Sequence, residues 1–173
     1  MKIIIIGDDA IVELSLKTIL EATGEIKVLG TGRNGQDAIN LYEIHQPDVA
    51  LIDIQMPLMS GIDAAKEILE LDRQEKILFL TTFSDNEYII KALNIGVKGY
   101  LLKQDFESIA PALKAVKAGQ TVFGTDIVSK LSNLVHENKL FLYGDYGINE
   151  KEEKIIHLVA QGLSNKEISN NSF

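Results

Sequence analysis

Five short apolar runs, none alternating with polar residues, recur along the chain: Lys2 to Ile6, Ile26 to Gly30, Val49 to Ile52, Ile77 to Leu80 and Gly99 to Leu102. A strand with one wet face alternates apolar and polar side chains, so an unbroken run of this length reads as a strand covered on both faces. Between the runs, apolar residues fall at helical spacing: Val12, Leu16, Ile19 and Leu20; Ala38, Ile39 and Tyr42; Ile62, Ala65, Ile68 and Leu69; Tyr88, Ile89, Ala92 and Leu93; Ile109, Leu113 and Val116. Five repeats of strand then helix imply an α/β fold, a (βα)5 doubly wound parallel sheet with right-handed crossovers. Such a sheet gathers its chemistry at the carboxyl ends of the strands.

The last of these helices closes with Lys114, Lys117 and Gly119, a good helix end, and residues 1–120 read as the first domain. Residues 121–147 read as a linker with a short helix from Asp126 to Val135. Residues 148–173 read as a truncated all-α segment: a helix carrying Ile155, Ile156, Leu158 and Val159, a turn at Gly162, and a second helix entered through the capping pair Ser164 and Glu167.

Composition removes several functions. With no cysteine, the chain has no disulfide framework, thiolate zinc site or cysteine nucleophile, which fits the cytoplasm. The apolar start gives way to Gly7-Asp8-Asp9 too early for a signal-peptide core or a membrane span, so no membrane partner is expected. The net charge of −8, negative both before and after Gln120, opposes a broad electrostatic attraction to nucleic acid.

Asp8 and Asp9 follow the first strand and Asp53 follows the third, so the topology brings three carboxylates to one rim of the sheet. Their repulsion calls for a cation, and oxygen-only donors suit Mg²⁺ better than zinc. Thr81 ends the fourth strand and Lys103 follows the fifth, adding a hydroxyl and an ammonium at the same rim. A carboxylate beside Mg²⁺, a hydroxyl and an ammonium suits phosphoryl transfer, where catalysis is mostly positioning and charge neutralisation, with Asp53 as the acceptor. Taken singly, each residue has an ordinary use: Asp as turn residue or helix cap, Thr as a strand former, Lys as a solvated charge. Their joint placement at four strand ends is what carries the functional reading.

Over the first 120 positions these residues resemble a two-component response-regulator receiver domain, with its flavodoxin-like fold. Asp8 and Asp9, Asp53 followed by Met56-Pro57-Leu58-Met59-Ser60-Gly61, the pair Thr81-Thr82, and Gly99-Tyr100-Leu101-Leu102-Lys103 match its motifs in order and spacing. Gly7 and Ala10 depart from the commoner residues beside the acidic pair, and neither departure removes a ligand. The resemblance implies that Asp9, Asp53 and the backbone carbonyl of Gln55 bind Mg²⁺ directly, with Asp8 acting through water. It also implies that a sensor histidine kinase phosphorylates Asp53, that Thr81 and Tyr100 form a switch pair, and that Lys103 holds the phosphoryl oxygen. Phosphorylation is then expected to draw Thr81 inward, let Tyr100 bury, and favour a homodimer through the face carrying Tyr88 to Leu93 and Tyr100 to Leu113. Enzymatic activity would go no further than autophosphorylation and autodephosphorylation.

Residues 148–173 resemble the opening of the LuxR-type helix-turn-helix of the NarL and FixJ class, through Ile148-Asn149-Glu150-Lys151-Glu152 and the run from Leu158 to Ile168. The helix that reads bases in that family would lie beyond Phe173, so transcription control through DNA is expected of a full-length form and specific DNA binding is not expected of these 173 residues. A module without DNA binding, serving as interaction partner or phosphate sink, is the alternative.

Other motifs weigh less. Gly30-Thr31-Gly32-Arg33-Asn34-Gly35 is a literal G-x-G-x-x-G, but it follows the second apolar run where a dinucleotide fingerprint follows the first, so a nucleotide-cofactor enzyme is a distant third reading. His45, His136 and His157 lack metal-ligand spacing, and Thr82 and Ser84 lack a His or Asp partner for nucleophilic catalysis.

Overall fold

The structure, a computed structural model, describes residues 1–82 and 84–136, with side chains through residue 132. The helix-turn-helix expectations for residues 148–173 lie outside the described residues. By contact the chain divides into Met1–Leu131 and Ser132–Phe173, and the fold below is that of the first unit.

In chain order the elements are β1 (Lys2–Ile6), α1 (Ala10–Glu21), β2 (Lys27–Gly32), α2 (Gly35–His45), β3 (Val49–Ile52), α3 (Gly61–Leu71), β4 (Ile77–Thr81), α4 (Asn86–Ile95), β5 (Gly99–Leu102), α5 (Phe106–Lys117), β6 (Val122–Phe123) and α6 (Thr125–His136). All strand pairs are parallel, in the order β2-β1-β3-β4-β5-β6. Each of the five expected strands is present; β1, β3, β4 and β5 are buried through nearly their full length, with Ile3 to Ile6 at most 2% exposed, whereas β2, at the margin, buries only Val28 and Gly32. Side chains alternate between two cores. Ile3, Ile5, Leu51, Leu78 and Leu101 meet α1 and α5, while Ile4, Ile6, Ile52, Phe79 and Tyr100 meet α2, α3 and α4.

Three features depart from the sequence expectations. A sixth strand, β6, pairs with β5 through Gly99↔Val122 and Tyr100↔Phe123. It is two half-buried residues long, too short to leave a period in the sequence. The helix expected from Asp126 runs from Thr125 to His136 as α6, and its Ile127, fully buried, joins the core on the α4 side. Finally, β2 extends to Gly32, because parallel pairing with β1 continues to Ile6↔Gly32, with a register shift between Ile3 and Ile4.

The extension of β2 explains the glycine run. Gly30 and Gly32 are strand residues overlain by α2, where an added Cβ would come within 2.7 Å of Leu41 and 2.5 Å of Asp37; at Gly35 it would meet Met59. They are packing glycines, and no phosphate cradle forms around them.

At the rim away from the strands' carboxyl ends, Glu75 lies just ahead of β4. It is 8% exposed, and its Oε1 has no hydrogen-bond partner among the described residues. Burial, with Asp72 and Asp48 adding repulsion against the pull of Lys76, raises its pKa to about 7.

Candidate functional site at the carboxyl ends of the strands

In a sheet ordered 2-1-3-4-5, connections leave β1 and β3 toward opposite faces and open a crevice between them. Asp53 stands there. Its amide donates to the Ile6 carbonyl at 2.8 Å, which extends the β1–β3 pairing by one bond and fixes the backbone beneath the carboxylate. The residue is 5% exposed. Lys103 reaches it from the end of β5, Nζ to Oδ2 at 2.6 Å, with 18% of the lysine side chain exposed. The Lys103 amide in turn donates to the Thr81 carbonyl at 2.8 Å, so Asp53, Thr81 and Lys103 are joined across the ends of three strands.

The other carboxylate oxygen of Asp53, Oδ1, is buried without a partner among the described residues. A buried carboxylate oxygen so left is costly, and such atoms recur where a ligand completes the site. A cavity of about 20 Å³, about the volume of one water-sized sphere, has Asp9, Glu13, Asp53 and Lys103 in a wall otherwise made by Gly7 and aliphatic side chains, Ile6, Val12 and Leu80 among them. The donors are hard oxygens in a confined space, which fits a small cation such as Mg²⁺.

The two members of the acidic pair part company. Asp9 shares the cavity with Asp53, and its Oδ1 also caps α1 by accepting from the amides of Ile11 (2.9 Å) and Val12 (3.1 Å). Those amides, Val12 first, hold its pKa below the ordinary aspartate value, with Lys103 a smaller contributor. Both aspartates are exposed, but Asp8 does not wall the cavity. Among the described residues no three His, Asp or Glu side chains converge closely enough to enclose a metal ion. Side chains would therefore supply few of the ligands, leaving backbone carbonyls and water to complete an octahedral shell, as Mg²⁺ commonly prefers.

The loop from β3 to α3 is shaped by two residues. Gly61 begins α3, and its amide donates to the Ile54 carbonyl at 2.8 Å; a Cβ there would fall within 1.9 Å of the Asp53 carbonyl oxygen, so only glycine lets the helix start against Asp53. Leu58, 95% exposed, holds φ at +66°, a strained value for a residue with a side chain. Gln55, on the same loop, is exposed, and its side-chain amide donates to the Tyr88 hydroxyl of α4 at 2.7 Å.

Thr81 and Tyr100 are both fully buried. The Tyr100 ring meets Phe79 edge-on, with centroids 6.2 Å apart and planes at 82°. Burial first, then the charges of Asp85 and Asp53, pushes its hydroxyl pKa well up, so it remains a proton donor. The sequence expectation has this ring bury on switching, yet here it is already inside. Its strand is covered by β6, whose following Gly124 amide donates to the Tyr100 carbonyl at 3.0 Å, and by Ile127 of α6 in the shared core.

Sequence reasoning passes over the Gln55–Tyr88 bond, the steric demand at Gly61 and the cover supplied by α6. Gly61 does carry a signal, since it follows the helix-capping Ser60. The other two depend on tertiary contact alone.

A parallel sheet with helices on both faces and a buried, lysine-paired carboxylate at its switch point defines the receiver class of α/β domains. The chain matches the response regulator receiver domain over residues 3–114 and belongs to that family, a signalling switch in two-component systems. It is 31% identical to the transcriptional regulatory protein YdfI of Bacillus subtilis, covering 97% of this chain and 79% of that one, and 32% identical to DesR of the same organism, covering 98% and 79%. It is also similar to the response regulator VraR of Staphylococcus epidermidis, 32% identical over 99% of this chain and 81% of that one. Among solved structures, a LuxR-family two-component response regulator from Aurantimonas superposes with a TM-score of 0.73 at 26% identity, covering 76% of this chain and 95% of that one. The receiver domain of NarL from Mycobacterium tuberculosis gives 0.66 at 26% identity, over 69% and 97%.

Proposed function

We propose that Asp53 accepts a phosphoryl group from a sensor histidine kinase and that the aspartyl phosphate sets the state of this response regulator. The observation that carries the reading is the Asp53 carboxylate itself: fixed by backbone pairing, buried, bound by Lys103 at one oxygen and unpartnered at the other. A carboxylate oxygen attacks phosphorus and the new P–O bond forms as the donor's bond to phosphorus breaks. The leaving group departs with that electron pair, as acetate when acetyl phosphate is the donor.

Mg²⁺, held by Asp9, Asp53 and the Gln55 carbonyl, with Asp8 acting through water, would neutralise the transferring oxygens. Lys103 exchanges its carboxylate partner for a phosphoryl oxygen, keeping its charge paired. Thr81, closing β4, turns its hydroxyl toward the new anion, and Tyr100 holds the inward position that the core already provides. The phosphorylated chain forms a homodimer, and a full-length form controls transcription through DNA, as the names of its relatives imply for them. The site also supports slow autophosphorylation and autodephosphorylation, and the protein acts in the cytoplasm.

Intact mass after incubation with Mg²⁺ and acetyl phosphate tests the assignment. One phosphoryl increment is expected, lost in Asp53→Asn. The same increment in that variant would refute it.

A further inference from the structure

The β4–α4 loop is held from outside the receiver site. Lys130, half-buried on α6, donates from Nζ to the carbonyl oxygen of Ser84 at 2.5 Å and to its Oγ at 2.7 Å. Ser84 lies in the loop that leaves Thr81. Among the described residues Lys130 makes no ion pair, so its charge is met by the two oxygens of this one residue. Such a contact is sensitive to shape: it requires the Ser84 carbonyl and hydroxyl to point the same way, and any turn of the loop breaks both bonds together.

The rest of α6 rests on the other half of the switch. Ile127 is fully buried and Leu131 half-buried in the core that contains Tyr100, and Gly124, just ahead of α6, is bonded to the Tyr100 carbonyl. One helix is therefore tied both to the loop that follows Thr81 and to the strand that carries Tyr100. It is also the segment through which the chain passes to residues 137–173.

We propose that α6 is a latch, fastened by Lys130 to the β4–α4 loop while Asp53 is unphosphorylated and loosened when phosphorylation draws Thr81 and its loop inward. The proposal rests on the assignment of Asp53 and Thr81 above. A contact that favours one state of a two-state element must, by linkage, oppose whatever stabilises the other. Phosphorylation weakens the latch, and removing the latch favours phosphorylation by the same factor. The output is then carried by α6 itself as well as by any face used for dimerisation.

The test uses the 173-residue chain with and without acetyl phosphate and Mg²⁺, following amide hydrogen exchange across residues 125–136 beside the intact mass. In the native chain, exchange of α6 should rise about tenfold on phosphorylation, within the usual range of such couplings. In Lys130→Met, which keeps the apolar stem, α6 should exchange fast without phosphodonor, and the phosphorylated fraction at limiting acetyl phosphate should rise. Lys130→Arg, which retains a donor, should fall between. Phosphorylation at Asp53 with unchanged α6 exchange, or a Lys130→Met variant indistinguishable from the native chain, would overturn the latch alone. A chain that takes up no phosphoryl group would overturn the acceptor assignment and the latch with it.

Discussion

Replacing Glu75 by Gln should stabilise the protein at neutral and alkaline pH. The carboxyl is raised from 4.5 to about 7, chiefly by burial and then by Asp72 and Asp48, against the opposing pull of Lys76. At about 1.4 kcal/mol per unit, that rise corresponds to about 3 kcal/mol. The sign follows from proton counting: between pH 4.5 and 7 the folded chain keeps a proton that the unfolded chain has released. Stability from this residue is therefore full below 4.5 and declines as pH rises through 7. Glutamine is neutral throughout and escapes that decline, but its buried amide still needs partners, at a cost of about 1 kcal/mol. The net gain at pH 8 is about 2 kcal/mol. Urea unfolding followed by circular dichroism at pH 5, 6, 7 and 8 measures it; with slopes of about 2 kcal/mol per molar, the variant's midpoint should lead by about 1 M at pH 8 and converge toward the native value at pH 5. Parallel stability curves across this range would refute the reasoning, because a buried, uncharged Glu75 is the only basis for their divergence.

Lys103→Met should destabilise by about 3 kcal/mol through the unpaired buried carboxylate, and adding Asp53→Asn should recover most of that loss; additive costs in urea unfolding would contradict the pairing. Gly61→Ala forces Cβ into the Asp53 carbonyl and should cost about 3 kcal/mol while lowering the rate of phosphorylation, read by thermal melting and intact mass. Asp9→Ala should lose both the α1 cap and Mg²⁺-dependent phosphorylation, and full phosphorylation of this variant at millimolar Mg²⁺ would show that Asp9 is not a ligand. Sedimentation of phosphorylated and unphosphorylated chain over a concentration series should show tighter self-association of the former; equal constants would count against coupling to dimerisation.

What could be read from the sequence follows from what the sheet demands. Strands buried on both faces must be apolar at every position, so β1, β3, β4 and β5 appear in the sequence as unbroken runs, and the residue closing each run lies at the functional rim. That is why Asp53, Thr81 and Lys103 can be placed from the sequence. The acidic pair shows the limit of this reasoning, because adjacent side chains leave a turn in different directions: both are exposed, but only Asp9 caps α1 and reaches the cavity wall. β6 is shorter than any periodic signal. Glu75 looks like a solvated loop charge, since nothing near it in sequence reports that it will be buried within reach of Tyr42 and Asp48. Lys130 and Ser84 are ordinary polar residues until the fold brings them together.

The two margins of the sheet bear on how this protein behaves when crowded or partly unfolded. An unpaired parallel strand is a template on which another chain can add. At one margin the template is β6, only two residues long and followed at once by a helix. At the other it is β2, which opens with an exposed Lys27, carries glycines at 30 and 32, and is thrown out of regular register beside Ile3 and Ile4. A short margin and an irregular, lysine-bearing one both discourage edge-to-edge growth. In a sheet this apolar, the two margins among the described residues are thus the places where growth by strand addition would start, and both are poor templates for it.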